Sequence, residues 1–283
     1  MTSSAPALTV DISTSTKSIT SNCALVSGRD DLVLIDTCMR VSDAETLVDW
    51  IRATGKSLRE IHLTHAHPDH YFGINVVRAA FPGVEVFADR GTAETLCEWP
   101  AKVRHWAEVY GPDDLPWQID DVMIRDDSPI LLDGHVIQPL DIYGTESVHM
   151  RFFHVPSART LIVGDLVYNG MHILTADVGN IEIWVSELER VRASYAFDTV
   201  IMGHGKPGGP EVFDFCIDYL QTKQHVSAPK VSIAEVAKQM TEAYPDLAVP
   251  QVLYWTRGPG YGFRGPEALG MPSDLLPATA PRP

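Results

Sequence analysis

The segment Ile61-His62-Leu63-Thr64-His65-Ala66-His67-Pro68-Asp69-His70 runs an apolar stretch directly into four side chains that can bind metal, His65, His67, Asp69 and His70. Arg59 to Thr64 reads as a β-strand, and a loop at a strand end can turn successive side chains toward one point. Imidazole and carboxylate donors suit zinc, iron or manganese. His65 and His67, two apart on extended backbone, can share one ion. Asp69 and His70 can turn toward a second ion where the next helix starts, with Pro68 stiffening the changeover.

The pattern around this loop alternates strand and helix. Asn22–Val26 and Leu32–Asp36 read as a hairpin around the turn-rich residues 27–31. Ser42 and Asp43 offer N-cap chemistry to an amphipathic helix whose apolar side holds Ala44, Leu47, Val48 and Ile51, and Gly55 ends it. Asn75–Phe81 reads as a helix and Val84–Ala88 as extended. Between Asp89 and Asp127 come short helical pieces carrying Trp99, Trp106, Tyr110 and Trp117 and broken by prolines, which suggests an insertion over the site. Strands are expected at 129–132, 136–141, 151–155, 160–163 and 199–202. Helices are expected at 183–196, 212–223 and 232–244. Two halves of this kind predict an α/β (α+β) fold with two sheets face to face and helices outside, a four-layer αββα sandwich. Residues 1–226 are expected to form the catalytic domain. Residues 227–283 are expected to add a helical extension and a tail on the same domain, with 277–283 disordered.

Thr64-His65-Ala66-His67-Pro68-Asp69-His70 resembles the T-H-x-H-x-D-H signature of the metallo-β-lactamase superfamily. The resemblance continues downstream. Gly144-Thr145-Glu146-Ser147-Val148-His149 sits where that family has a glycine-led loop ending in a histidine, with only the ends of the usual G-H-T-P-G-H kept. Leu161-Ile162-Val163-Gly164-Asp165 is similar to the strand that delivers a bridging aspartate, and Gly203-His204 to the pair that supplies the last histidine. Carried over by position, the resemblance implies the metallo-β-lactamase fold with two divalent metal ions per chain, zinc first and iron or manganese as alternatives. One ion would be held by His65, His67 and His149, the other by Asp69, His70 and His204, with Asp165 bridging.

The activity this implies is hydrolysis by a hydroxide shared between the ions, at a site where its pKa falls from that of bulk water to roughly 7. Asp69 is then the expected acid/base. Tyr168, three residues after Asp165, resembles the phenol of metal-dependent acyl-homoserine-lactone lactonases that hydrogen-bonds the substrate carbonyl. The expected bond is a small-molecule ester or lactone. Thioester, β-lactam or amide hydrolysis on the same site is the alternative, and iron-dependent oxygenase chemistry is the rival from another class. Tyr71, Phe72, Trp106, Trp117 and Trp184 are candidate walls for an apolar or aromatic substrate. Lys206 is a candidate for a substrate carboxylate. Among the remaining histidines His172 is the one of interest.

Composition narrows the partners. With 37 acidic against 22 basic residues the formal charge is −15, and no Lys/Arg stripe interrupts it, so neither nucleic acid nor an anionic membrane is an expected partner. A homodimer is left open. No export signal or spanning run is read, which makes the cytoplasm the expected compartment. Cys23, Cys38, Cys97 and Cys216 form no CxxC pair and are expected to be buried, reduced thiols. Residues after about Ser227, including the stretch Tyr254-Trp255-Thr256-Arg257, are expected either to close over the pocket or to meet a second subunit.

Overall fold

A computed structural model describes residues 6–17, 20–176, 178, 180–227 and 229–255. The first sheet has the order β1 (Thr9–Thr14), β2 (Asn22–Ser27), β3 (Asp31–Ile35), β4 (Ser57–His62), β5 (Glu85–Ala88) and β6 (Met123–Ile124). Its first two pairings are antiparallel and its last three parallel. The second sheet has the order β11 (Thr199–Gly205), β10 (Thr160–Asn169), β9 (His149–Val155), β8 (His135–Tyr143) and β7 (Ile130–Leu132), with only β10 and β11 parallel.

The layers follow from where the apolar side chains go. Val26, Val33, Ile35, Ile137, Phe153, Val155, Ile162 and Ile201 fill the space between the two sheets. The outer face of the first sheet packs against α1 (Val41–Ala53) and α3 (Ile74–Ala80), and that of the second against α6 (Ile181–Ser194), α7 (Glu211–Val226) and α8 (Ile233–Ala243). This is the expected αββα sandwich. Phe153 is fully buried between the sheets, so Phe153→Ala is expected to cost about 3–5 kcal/mol in chemical denaturation.

The structure departs from the sequence reading in several places. Helix α1 begins after Arg40, and Ser42 lies inside its first turn rather than capping it. The orphan donor there is met from outside, since Ser42 N and Oγ donate to Asp114 at 2.8 and 2.6 Å. Asp114 belongs to the 89–127 segment, which contains α4 (Arg90–Thr95) and α5 (Trp99–Tyr110) and closes with β6, so its end is part of the first sheet rather than an insertion on it. Cys23, Cys38 and Cys216 are buried, whereas Cys97 is exposed.

Helix α8 contributes Val236, Ala237 and Met240 to the second half's core. The chain then returns: Ala248 N donates to Gly170 O at 3.0 Å and His172 N donates to Ala248 O at 2.9 Å. These bonds fasten residues 244–255 beside the end of β10. His172 is itself buried and hydrogen-bonded through Nδ1 to the Tyr219 hydroxyl at 3.0 Å, a structural role. Residues 256–283, including Thr256, Arg257 and the tail, lie outside the described residues. No described helix is long and apolar enough to cross a membrane.

Candidate metal centre

The donor-rich loop leaves the end of β4 and enters the one-turn helix α2 (Pro68–Tyr71), with Pro68 at its first position, where a missing N–H costs nothing. That changeover separates the donors. His65 and His67 come off extended backbone, and Asp69 and His70 come off the helical turn. The second sheet supplies the rest. Along β10 the register against β11 shifts around Gly164 and again before Tyr168, and Asp165 lies between the two irregularities. His204 comes from β11.

Two groups of donors result, each with ligand atoms within 4.8 Å of one another: His65, His67, Glu146 and Asp165 in the first, and Asp69, His70 and His204 in the second. Asp165 touches both. Its Oδ1 lies 3.4 Å from His70 Nε2, and its Oδ2 lies 3.2 Å from His204 Nε2 and 3.9 Å from His65 Nε2. His204 Nε2 is also 3.1 Å from Asp69 Oδ2.

The expected third histidine is not in either group. His149 starts β9 with its ring 5.6 Å from Tyr143, edge to face, and packed so closely on Gly91 that a Cβ there would lie 2.2 Å from it. Glu146 is the fourth member of the first group. It is wholly buried, with carboxylate oxygens 3.2 Å from His67 Nδ1 and 3.8 Å from His65 Nε2. Gly144 (φ +70°) turns the chain out of β8, and Gly144 N donates to Val148 O at 3.1 Å, closing a loop whose side chain Glu146 faces the centre.

A second residue missed in the sequence is Asp36, just past β3. Its Oδ2 accepts from the Thr64 hydroxyl at 2.8 Å and is hydrogen-bonded to His70 Nδ1 at 2.8 Å, and its Oδ1 accepts from Thr64 N. Thr64 Oγ1 is in turn bonded to His65 Nδ1 at 2.9 Å, and His204 Nδ1 to Thr20 O at 2.6 Å. These three rings, His65, His70 and His204, are therefore held by Nδ1 with Nε2 turned inward, the arrangement that orients metal-binding imidazoles. An acidic residue ending the apolar run beside the histidine strand was the only sequence signal for Asp36.

The centre is built to hold positive charge. His65 Nε2 and His70 Nε2 are buried and make no hydrogen bond. Burial, with His70 and His67 beside it, pushes His65 well below the usual histidine range, so it offers a neutral lone pair. Burial opposes protonation of His204, but Asp165 and Asp69 outweigh it and lift that group to about 10. Burial likewise opposes the charge on Asp165, and His204 and His70 still hold its carboxyl well below the carboxylate range. Burial opposes protonation of His70 as well, and Asp165, Asp69 and Asp36 outweigh it, so both rings face negative charge that cations would offset. Orphaned buried nitrogens and an acid-rich, imidazole-rich donor set fit divalent ions of the zinc, iron or manganese type.

Beside the donors lies a pocket lined by His67, Asp69, Asp165 and His204 on one side and by Trp106, Tyr168, Met171, Leu174, Val252 and Trp255 on the other. Of the expected walls only Trp106 reaches it. Tyr71 and Phe72 are buried in the first core, Trp184 lies in the second core with Nε1 donating to Leu166 O, and Trp117 is 80% exposed on the surface. Trp255 closes the cavity edge to face with Trp106, ring centres 6.0 Å apart, so the C-terminal segment does reach the pocket. The Tyr168 hydroxyl donates to Asp165 Oδ2 at 2.9 Å and its ring stacks on His204, so in this structure it is engaged by a donor side chain. Lys206 lines a separate groove with Pro207, Asn169 and Val249. From α5, Lys102 Nζ donates to Ala66 O at 2.6 Å and pins the loop between His65 and His67.

Three comparisons bear on this geometry. The sequence profile of the Metallo-beta-lactamase superfamily matches residues 19–208. Comparison with curated protein sequences gave no significant match. Among solved structures, a metallo-beta-lactamase from Pontibacter korlensis superposes with a TM-score of 0.61 at 21% identity over 76% of this chain and 99% of its own. DIM-1 metallo-beta-lactamase gives 0.60 at 22% identity, over 77% of this chain and 99% of its own. TMB-1 gives the same score, identity and coverage. At these identities the likeness is one of fold.

Proposed function

The chain belongs to the metallo-beta-lactamase superfamily, and from that membership we propose that it is a metal-dependent hydrolase of small, neutral esters or lactones with an apolar or aromatic group. One observation carries the substrate class: the cavity that opens on both donor groups has an aromatic and aliphatic wall, and no lysine or arginine lines it among the described residues. A carboxylate or phosphate substrate would find no counter-charge on that wall.

Divalent ions held by the two groups would supply a water acidified toward neutral pH and a Lewis acid for the carbonyl. The side chains do the remainder. Asp69 lines the cavity, and burial raises its pKa while His70 and His204 bring it below the carboxylate range, so it is a base at neutral pH. In the proposed reaction the carboxylate oxygen of Asp69 not turned to the donors takes the proton of the attacking water and returns it to the leaving oxygen. Tyr168 we assign to positioning Asp165 through the hydroxyl–carboxylate bond. Trp106, Trp255, Met171 and Leu174 hold the apolar group and exclude water around the carbonyl.

The test is a panel of lactones, aryl esters, thioesters and β-lactams on protein whose metal content is counted by plasma mass spectrometry. Turnover of neutral esters or lactones, lost in Asp69→Ala, supports the reading. Exclusive turnover of β-lactams or thioesters, or none by metal-loaded protein, overturns it. In the same assay Trp255→Ala is expected to raise KM for an aryl ester about tenfold, roughly 1.4 kcal/mol of apolar contact, with kcat little changed.

A further inference from the structure

The substitution of Glu146 for an imidazole changes more than one ligand. With Asp165 touching both groups, the first would offer two imidazoles, Asp165 and Glu146, and the second two imidazoles, Asp165 and Asp69. A histidine at the third position would instead leave three imidazoles facing two. We infer that Glu146 makes the two ion positions chemically alike, so that the chain binds a matched pair of ions and admits Mn²⁺ at both. This rests on the metal-dependent reading above, not on its substrate.

Three observations support it. Glu146 is placed rather than tolerated: it is wholly buried, on a loop closed by the Gly144–Val148 hydrogen bond, with Thr145 buried beside it and donating to Met150 Sδ at 3.2 Å. A carboxylate taken out of water at such a point costs several kcal/mol unless charge compensates it. The groups its oxygens approach are the donors His67 and His65 themselves, at 3.2 and 3.8 Å. Finally, imidazole donors favour zinc, copper and nickel, whereas carboxylate oxygens suit manganese, so exchanging one for the other shifts the first position toward the harder ion. The donor charge moves the same way. Glu146, Asp165 and Asp69 bring three negative charges to a pair of divalent cations, one more than an imidazole version would bring, and leave the loaded centre closer to neutral.

The test uses full-length, metal-free protein titrated with Mn²⁺ and then Zn²⁺ alone, without substrate, followed by calorimetry and electron paramagnetic resonance. The wild type is expected to take two Mn²⁺ ions of similar affinity that give an exchange-coupled spectrum. Glu146→Gln keeps the shape and removes the charge. It is expected to bind one Mn²⁺ normally and the other about 100-fold or more weakly, since even the outer partners of ligands are worth roughly 10–100-fold. Glu146→His should bind two Zn²⁺ ions but split them into unequal steps and lose Mn²⁺ at one position. Circular dichroism checks that both variants fold, and the histidine variant decides the matter if the glutamine variant does not. Unchanged Mn²⁺ stoichiometry and affinity in the variants, or a wild type that takes fewer than two Mn²⁺ ions, overturns the inference. Failure of every ester and lactone would sink the substrate proposal and leave this metal result standing.

Discussion

Asp165→Asn is expected to remove turnover, lowering kcat by about 1,000-fold or more, and to strip metal from both donor groups. The expectation rests on position. Asp165 is the carboxylate whose oxygens approach His65, His70 and His204 and which also accepts from Tyr168. An amide of nearly the same shape keeps the packing of β10 but replaces one acceptor oxygen with an N–H pair and cancels a full charge. Cations then lose the one group shared between their positions, and a loss of this size corresponds to a few kcal/mol of transition-state stabilisation. Metal content by mass spectrometry and kcat on the best panel substrate measure it. An Asp165→Asn protein that keeps its metal and a tenth of its turnover would show that the two groups act independently.

Gly203→Ala is expected to cost about 100-fold or more in kcat through a single methyl group. A Cβ at this position on β11 would stand 2.0 Å from Asp165 Oδ1, 2.7 Å from His70 Cε1 and 3.2 Å from Asp165 Cγ. Something must move, and the nearest atoms are the donors themselves. Overpacking a buried site costs about 1–3 kcal/mol in stability, which thermal denaturation separates from the kinetic effect. Retained activity would mean that Asp165 can shift by about a methyl radius without harm, and the centre would then be far looser than its packing indicates.

The donors legible in the sequence are those whose spacing is set by regular structure. His65 and His67 follow from extended backbone and Asp69 and His70 from the helical turn after Pro68, whereas Asp165 and His204 came only through the resemblance to the family's strands. Glu146 was missed because it sits in a short irregular loop, where matching a motif by its two ends says nothing about which interior side chain turns inward. His149 kept the motif's letter while β9 had already begun, and its ring went to Gly91 and Tyr143. The wall residues failed for another reason. Trp184, Leu188 and Val191 form a helical stripe at spacings of four and three, which is the mark of a core face, and all three are buried. Trp255 lies beyond the matched 19–208 region, and nothing local to it shows that bonds from Gly170 and His172 to Ala248 bring its segment home.

Those two backbone bonds divide the labour of the molecule between distant stretches of chain. The donors end with His204, whereas Val252 and Trp255 face the cavity from a segment held by the Ala248 bonds and by Leu253 and Tyr254, which are buried in the second core. Main-chain hydrogen bonds accept any side chain, so the cavity-facing positions Val252 and Trp255 are free to diverge while Leu253 and Tyr254 keep the segment anchored in the core. In a lineage of such chains, substrate choice could drift quickly at this cuff while the reaction itself stayed fixed.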